Sequence, residues 1–560
     1  MTTSSGNVPA CANVTPDSDS AACNKKGAFA CGKCNLVSYC GKQCQTAHWP
    51  VHQTLHKDPA NRSNWRPAWD IEGREPAWAM DEARNNAHNP YGGDLFLWGN
   101  VPAIDVLRLS DNEGAGYSDD IELLFAGSSK PSRPAQGLLY IRSLTRETAS
   151  GDLRNVVKTI VDLPATVTQI VHATINGREM AMLIHLWYST FMPEVVLSTV
   201  QKAVKPLIVE VCAKIKDKHS ATYLGKTWQF PSGRRLRLVL KRDQWFALSK
   251  MLDVPQGFTF DKASKVRHGV TLAPERADYR DRWDFKEPTA SIRIAKRHFR
   301  EDGLLLPFRH PRRPLEWLAI WEIYYRPWPA KQDCYGKLHA YLREVFGKFV
   351  QSLKTVNVSF EMHCLDARDL KEHLDCDRYT RIEVSNVTDG CNLGLRNTLT
   401  SLMPLLQPPQ RNPHATLISL FLNAVMDMVT AEILEYLPVT DLASFMNPIL
   451  KSESQATANT RVSQIRLTHP PHVDSNCDVS ISMYRAQNFF EAIAPHSGAA
   501  EKENNTIVEK WPLRLKRQLG QERAQEEFGR YVEWTRLGVV PETTTGNDQN
   551  SGEGNSFTRE

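Results

Sequence analysis

The chain of 560 residues lacks any uninterrupted apolar run of about 18 residues, the length that a membrane-spanning helix needs. The best candidate, residues 181–212, is interrupted by polar, charged and helix-breaking residues that include His185, Pro193, Glu194, Lys202 and Lys205. The first ten residues are small, polar and uncharged, without the basic and apolar regions of a secretory signal peptide. We therefore expect a protein of the cytosol or nucleus that has no membrane partner.

A strong excess of charge is also missing. The formal net charge is +5, which is small for this length and implies no obligate polyanionic partner. The lysines near the N-terminus are not interleaved with aromatic residues and lie on no recognition helix, so nucleic acid is not expected to bind there. No internal repeat is present, and the apolar content of 41% predicts ordinary globular domains.

Cysteine is scarce in most of the chain but concentrated at its beginning, since six of the twelve cysteines fall within the first 44 residues. With two histidines nearby, these cysteines make four pairs of potential metal ligands: Cys11 and Cys23, Cys31 and Cys34, Cys40 and Cys44, and His52 and His56.

Zinc explains this pattern best, because a structural Zn²⁺ takes four thiolate or imidazole ligands in a tetrahedron. Residues four apart share one face of a helical turn, and eight ligands suit two ions. The segment has too few large apolar residues for a core of its own. Two bound ions would supply its folding free energy, roughly 10–16 kcal/mol each. A disulfide knot and a catalytic zinc are the alternatives; reducing compartments disfavour the first, and four protein ligands per ion disfavour the second.

The spacing Cys-x2-Cys-x5-Cys-x3-Cys-Gln-x2-His-Trp-x2-His resembles the MYND-type zinc finger. In that family the ligand pairs alternate between two ions. The resemblance implies one ion on Cys11, Cys23, Cys40 and Cys44, and the other on Cys31, Cys34, His52 and His56. The sequence departs from the pattern in the long spacing between the first two cysteines and in a histidine as the last ligand. We interpret His48, just before the tryptophan, as a surface residue.

The rest of the chain predicts a large α/β domain. A short apolar strand at 121–126, a helix at 151–160 and a second strand at 167–175 make the opening of a βαβ unit. Other predicted elements are helices at 102–107, 182–215, 335–353 and 415–437 and strands at 234–241, 356–360 and 380–386. The expected domains are a disordered start (1–10), the finger (11–56), a linker (57–90), the α/β domain (91–535) with an irregular insert (128–150), and a disordered tail (536–560).

Four stretches of this domain resemble a fungal family that joins a MYND finger to a domain of unknown function, DUF4470, which is shared with dynein axonemal assembly factor 3 proteins. They are Leu97–Leu107, Ser150–Asn155, Arg381–Asn386 and Asn412–Thr416. The resemblance implies a Rossmann-like, methyltransferase-like fold that would hold S-adenosylmethionine at Gly127, Gly151 and Asp152, with Ser385 and Asn386 at a later strand end. The insert interrupts this loop, and we interpret it as a translated, unspliced intron.

Two functions follow from these patterns. The first is a non-catalytic adaptor whose finger binds a short, often proline-containing peptide of a partner protein. The second is an S-adenosylmethionine-dependent methyltransferase. A single glycine-containing loop is a weak signal, and neither a general base nor a nucleophile stands out, so the sequence favours the adaptor over the enzyme.

Overall fold

The structure is a computed structural model of the chain. It describes residues 9–13, 23, 25–77, 103–126, 153–163, 184–306, 328–424, 484–510 and 530–538, apart from single residues and pairs within these ranges. The predicted insert, the strand expected at 167–175 and the tail after residue 538 lie outside the described residues.

The N-terminal unit, residues 9–57, is called the finger here. Its strand β1 (Phe29–Ala30) pairs antiparallel with β2 (Ser38–Tyr39), and helix α1 (Lys42–Lys57) follows. The expectation of disorder for residues 1–10 is wrong for the last two, since Pro9 O accepts the N–H of Gly27 and residue 10 pairs with residue 26.

The remaining elements form the strap, residues 58–77, and the body, the described residues from 103 onward. The strands of the body are β3 (Leu123–Phe125), β4 (Tyr223–Gln229), β5 (Arg235–Lys241), β6 (Ser359–His363), β7 (Arg381–Glu383), β8 (Thr416–Phe421), β9 (Ala499–Glu501) and β10 (Arg530–Arg536). The helices after α1 are α2 (Ala68–Ile71), α3 (Leu153–Asp162), α4 (Glu194–Ala203), α5 (Lys205–Ile215), α6 (Arg242–Met251), α7 (Phe260–Thr271), α8 (Ala277–Lys286), α9 (Ala290–Asp302), α10 (Cys334–Thr355), α11 (Leu370–His373), α12 (Leu395–Leu402) and α13 (Phe490–His496).

A five-stranded mixed sheet organises the body, with the order β3-β7-β8-β10-β9. The first three strands run parallel, and β10 is antiparallel to both of its neighbours. The helix predicted from residue 415 is wrong over β8, which is buried at all six of its positions. A strand that is buried on both faces is continuously apolar, and periodicity does not distinguish it from a buried helix.

Both faces of this sheet are covered. One face packs Leu417, Phe421 and Trp534 into a large apolar core. The opposite face packs Ile418 and Leu420 on the loop segments 104–106 and 507–508. The body is therefore a mixed α/β structure with the sheet at its centre.

The two ends of the predicted α/β domain also differ from expectation. The helix predicted at 102–107 does not form, because side chains of α3 bind its backbone: Asn155 accepts the N–H of Ile104, and Thr159 accepts the N–H of Val106. At the other end, β10 continues to Arg536 and Leu537 N–H donates to Gly498 O, so order extends past the expected boundary at 535.

A second, three-stranded sheet has the order β4-β5-β6 and packs on α5 and α6 around Trp245. A third core joins the finger to the body. It combines Leu36 and Val37 of the finger with apolar side chains of α3, α9 and α10. These finger residues therefore share one core with helices of the body.

Candidate metal centre

The eight predicted ligands come together in two groups of four. Site 1 consists of Cys11, Cys23, Cys40 and Cys44, and site 2 of Cys31, Cys34, His52 and His56. Within each group, one sulfur or nitrogen atom per residue lies within 4.8 Å of all the others. The grouping alternates along the chain, as the resemblance implies.

Site 1 depends on the start of the chain. The N–H of Cys11 donates to Lys25 O at 2.8 Å, and the N–H of Cys23 donates to Asn13 O at 3.0 Å. The two segments therefore run side by side, and the long spacing between the two cysteines is no obstacle to a shared ion. Ala12 N–H donates to Ser38 O of β2 at 2.8 Å, which places this ladder beside Cys40, just after β2, and Cys44, in the first turn of α1.

Site 2 combines a tight turn with one face of α1. The turn, residues 31–35, is called the knuckle here. Asn35 N–H donates to Cys31 O at 2.9 Å, and Asn35 has a left-handed backbone with φ of 52°. The backbone N–H of Leu36 points at Cys34 Sγ at 3.5 Å, a contact that stabilises a thiolate. His52 and His56 face the knuckle from successive turns of α1.

The distances suit a tetrahedral zinc ion. Bonds of about 2.3 Å to sulfur and about 2.0–2.1 Å to nitrogen require an S···N separation of about 3.5 Å and an S···S separation of about 3.8 Å. Cys34 Sγ lies 3.5 Å from His52 Nε2, and Cys31 Sγ lies 3.6 Å from His56 Nε2. In site 1, the sulfurs of Cys40 and Cys44 are 3.5 Å apart and those of Cys23 and Cys40 are 3.7 Å apart.

These distances overturn the disulfide alternative for the finger. A disulfide bond is about 2.05 Å long, far shorter than the sulfur separations in site 1. All six finger cysteines are free thiols. Each site also has four protein ligands, which closes a tetrahedron and leaves no position for a substrate. The arrangement is that of two structural sites.

Burial and contacts between the ligands shift several of their pKa values. Burial raises the pKa of Cys34 to about 12, and the Cys44 thiol raises the pKa of Cys40 to about 12. Burial lowers the pKa of His52 to about 4, so its imidazole is neutral near pH 7 and can donate a lone pair. A divalent ion reverses the cost of deprotonating the thiols, because a coordinating thiol gives up its proton.

Ring contacts orient the two histidine ligands. The Trp49 ring meets the His52 ring at 5.9 Å and the His56 ring at 5.3 Å, both edge to face. The Nδ1 atoms of both histidines are buried and have no hydrogen-bond partner among the described residues. Ring packing therefore holds these imidazoles, a role that a hydrogen-bond acceptor on the second ring nitrogen commonly has. His48 is not a simple surface residue, because its Nδ1 lies 3.0 Å from the Tyr39 hydroxyl.

The knuckle also has partners that sequence reasoning missed. Ser291 Oγ, on α9, donates to Cys34 O at 2.8 Å, and Gln332 N–H donates to Asn35 O at 2.9 Å. Both partners are more than 250 positions away along the chain, and no local motif marks them.

The other predicted site residues are less informative. Gly127, Gly151 and Asp152 lie outside the described residues. Ser385 and Asn386 follow β7 at the carboxyl end of the parallel strands, and Ser385 has a left-handed backbone with φ of 48°. Buried carboxyl groups flank this loop: Glu383 accepts the N–H of Ser385 at 2.7 Å, and Asp389 accepts the N–H of Leu422 at 3.3 Å.

Two family models match the chain. The MYND finger matches residues 21–56, and the domain of unknown function DUF4470 matches residues 97–185. No curated protein and no solved structure matches the chain significantly. The chain thus carries a MYND finger, a known zinc-binding and protein-interaction module, and its two Cys/His clusters could hold two zinc ions, as predicted. Within the described residues, no helix combines the length and apolar content that crossing a bilayer requires.

Proposed function

We propose that the protein is a zinc-dependent adaptor of the cytosol or nucleus whose finger binds a short peptide segment of a partner protein. The short-peptide mode, the fungal origin and the link to dynein axonemal assembly factor 3 proteins rest on sequence resemblance. The observation that carries the proposal is the division of the finger's apolar side chains between an inner and an outer set.

The inner set is already in use. Leu36 and Val37 are buried in the core that the finger shares with the body. The outer set is exposed: Phe29 on β1 keeps 65% of its surface accessible, and Trp49 and Val51 on α1 keep 42% and 51%. Tryptophan is enriched among the residues that contribute most to binding, so Trp49 and the exposed apolar side chains near it in the finger are the candidate contacts for a partner.

The positive charge of the finger also favours a partner segment that carries carboxylates. Residues 23–57 contain five lysines and no aspartate or glutamate. Lysines on the rim of an apolar contact accelerate the association of a segment that carries carboxylates.

A peptide-display selection tests the proposal. The zinc-loaded full chain is used to select from a phage library of proline-containing peptides, and fluorescence anisotropy then measures the affinity of the selected peptides. Val51→Asp is expected to weaken peptide binding at least tenfold, since it places a carboxylate in the apolar contact between the finger and the peptide. Val195→Asp is the matched control, because Val195 is equally exposed (55%) on α4. Selection of no peptide, or equal affinity in wild type and Val51→Asp, would contradict the proposal.

One feature of the body favours the alternative, an S-adenosylmethionine-dependent methyltransferase. The parallel strands β3, β7 and β8 end at one edge of the sheet, and ligands of α/β proteins bind outside such carboxyl ends. The half-buried Asn386 follows β7 there. Calorimetric titration of S-adenosylmethionine into the full chain tests this alternative. Saturable binding that Asn386→Ala weakens would support it, and the absence of heat from a folded, zinc-loaded sample would remove it.

A further inference from the structure

The contact between the finger and the body has a consequence for the metal. We propose that the body completes site 2: Ser291 and the backbone of Gln332 are positioning groups for the knuckle, and zinc binding and the packing of α9 and α10 form one cooperative transition. This inference does not depend on the peptide partner.

The hydrogen bonds to the knuckle are the first support. Two of its carbonyl oxygens, those of Cys34 and Asn35, accept bonds from the body, at 2.8 and 2.9 Å. Ser291 lies in the first turn of α9, and Gln332 lies just before Asp333, the N-cap of α10. The knuckle carries two of the four ligands of site 2, so its backbone sets where their sulfur atoms lie.

The apolar packing is the second support. Cys31, Cys34, Leu36 and Val37 are buried in the same cluster as side chains from the body helices. The body residues of this cluster include Ile292 and Ile294 of α9 and Tyr335, Leu338 and Leu342 of α10. Without the finger, this apolar surface of α9 and α10 would face water.

The strap is the third support, since it fixes the C-terminal end of the finger to α9. Arg293 donates to Ala60 O at 3.1 Å and to Arg62 O at 2.7 Å, and its side chain is buried. Arg293 and Arg297 both stack over the Trp65 ring, with centroid distances of 5.5 and 5.1 Å. The body therefore holds the finger both at the knuckle and just after α1.

Cooperativity follows from this double attachment. The finger has few large apolar residues of its own. Without an ion, its thiol and imidazole side chains do not hold the segment in one geometry. Cys31 and Cys34 of the knuckle and His52 and His56 of α1 would hold the ion together, and this would fix the knuckle against α1 with Leu36 and Val37 against the body. When zinc is removed, both the carbonyl acceptors and this apolar surface lose their defined position.

Hydrogen exchange on the full chain tests the inference without any substitution. Deuterium uptake is followed by mass spectrometry before and after zinc is removed with a chelator. We expect α9 and α10 to lose protection together with the finger, while α5 and α6, in the other core, keep theirs. Unchanged protection of α9 and α10 in the zinc-free chain would overturn the proposal.

A substitution tests the positioning role directly. Ser291→Ala is expected to weaken zinc binding at site 2 on the order of tenfold, the size of the loss when a group that orients a metal ligand is removed. Substitution of the zinc by Co²⁺ distinguishes the sites, because four thiolates and two thiolates with two imidazoles give different visible spectra. The loss of Co²⁺ affinity in Ser291→Ala should be confined to site 2, which has two thiolates and two imidazoles. Ser291→Thr, which keeps the hydroxyl, should restore the affinity of site 2.

Ser198→Ala is the matched control, since among the described residues the Ser198 hydroxyl donates to Val195 O within its own helix, far from both sites along the chain. Equal Co²⁺ affinity at site 2 in wild type and Ser291→Ala would overturn the positioning role. So would a loss that Ser291→Thr does not restore, because that outcome assigns Ser291 to packing alone.

Discussion

At the scale of single residues, Gly27 shows how tightly site 1 is built. A Cβ atom added there would lie 3.0 Å from Ser38 O and 2.8 Å from Ser38 Oγ. The backbone of β2 is itself held by Ala12, so it has little room to move. Glycine is therefore required at position 27, where the chain passes close to β2 before β1 begins.

Gly27→Ala is accordingly expected to weaken metal binding at site 1 about tenfold, since overpacking of this kind costs about 1–3 kcal/mol. The four-thiolate Co²⁺ spectrum reports this loss. Gly32→Ala is the control, because no atom of the described part of the chain lies within 4 Å of a Cβ at Gly32. Equal losses in the two variants would show that the close approach to Ser38 is not the cause.

The ligand pKa values predict how many protons leave when the ions bind. Free thiols are mostly protonated at pH 7, and each must lose its proton to bind zinc. Burial lowers the pKa of both His52 and His56, so their imidazoles are already neutral and release none. We expect about four protons from site 1 and about two from site 2.

Calorimetry in buffers of different ionisation enthalpy measures this number. A total of about six protons at pH 7 is the expected result. The affinity for zinc should fall as the pH is lowered, because protons compete for the thiolates. A total near eight would show that the histidines are charged before binding and would contradict the account of their burial.

At the scale of elements, an ion pair ties the strap to helix α8 of the body. Both terminal nitrogens of Arg74 bind the carboxylate of Asp278 on α8, at 2.6 and 2.8 Å, and Ala77 N–H binds the same group. The hydrogen bond from Arg74 lowers the pKa of Asp278. The contribution of this pair to stability is therefore present above the ordinary carboxyl pKa and is lost as the pH falls through the lowered value.

Asp278→Asn is expected to raise deuterium uptake in the strap and to lower the free energy of unfolding by about 1–2 kcal/mol, since Arg74 is partly exposed. Asp243→Asn removes an exposed carboxylate that pairs with the adjacent Arg242, and it should change neither quantity. If strap exchange is the same in Asp278→Asn and wild type, the pair does not anchor the strap.

The metal sites, strands and helices also show which features can be predicted from the sequence alone. Spacing and ligand chemistry predicted both metal sites, because those signals are local. Strand β5 and helix α10 followed from their periodicity. The apolar run of β8 has no period, so the sequence predicts a helix there. The tryptophans and prolines after residue 57 predict an extended strap that lies on the next domain. Ser291 and Gln332 were missed because only the fold brings them to the knuckle.

At the scale of the whole molecule, the finger is part of the core and not an appended module. Its inner side packs on body helices, and its outer side keeps Trp49 and Val51 exposed. Loss of the metal ions should therefore also lower the stability of the body and disturb the outer side of the finger. A partner that binds the outer side would contact α1, which carries three of the eight ligands.

The most direct test of this account is native mass spectrometry of the full chain. We predict two zinc ions in the wild-type protein, one in Cys44→Ser and one in His52→Ala, because each substitution removes a ligand from a different site. Fewer than two ions in the wild type, or two ions retained in either variant, would contradict the central claim that these eight side chains form two zinc centres.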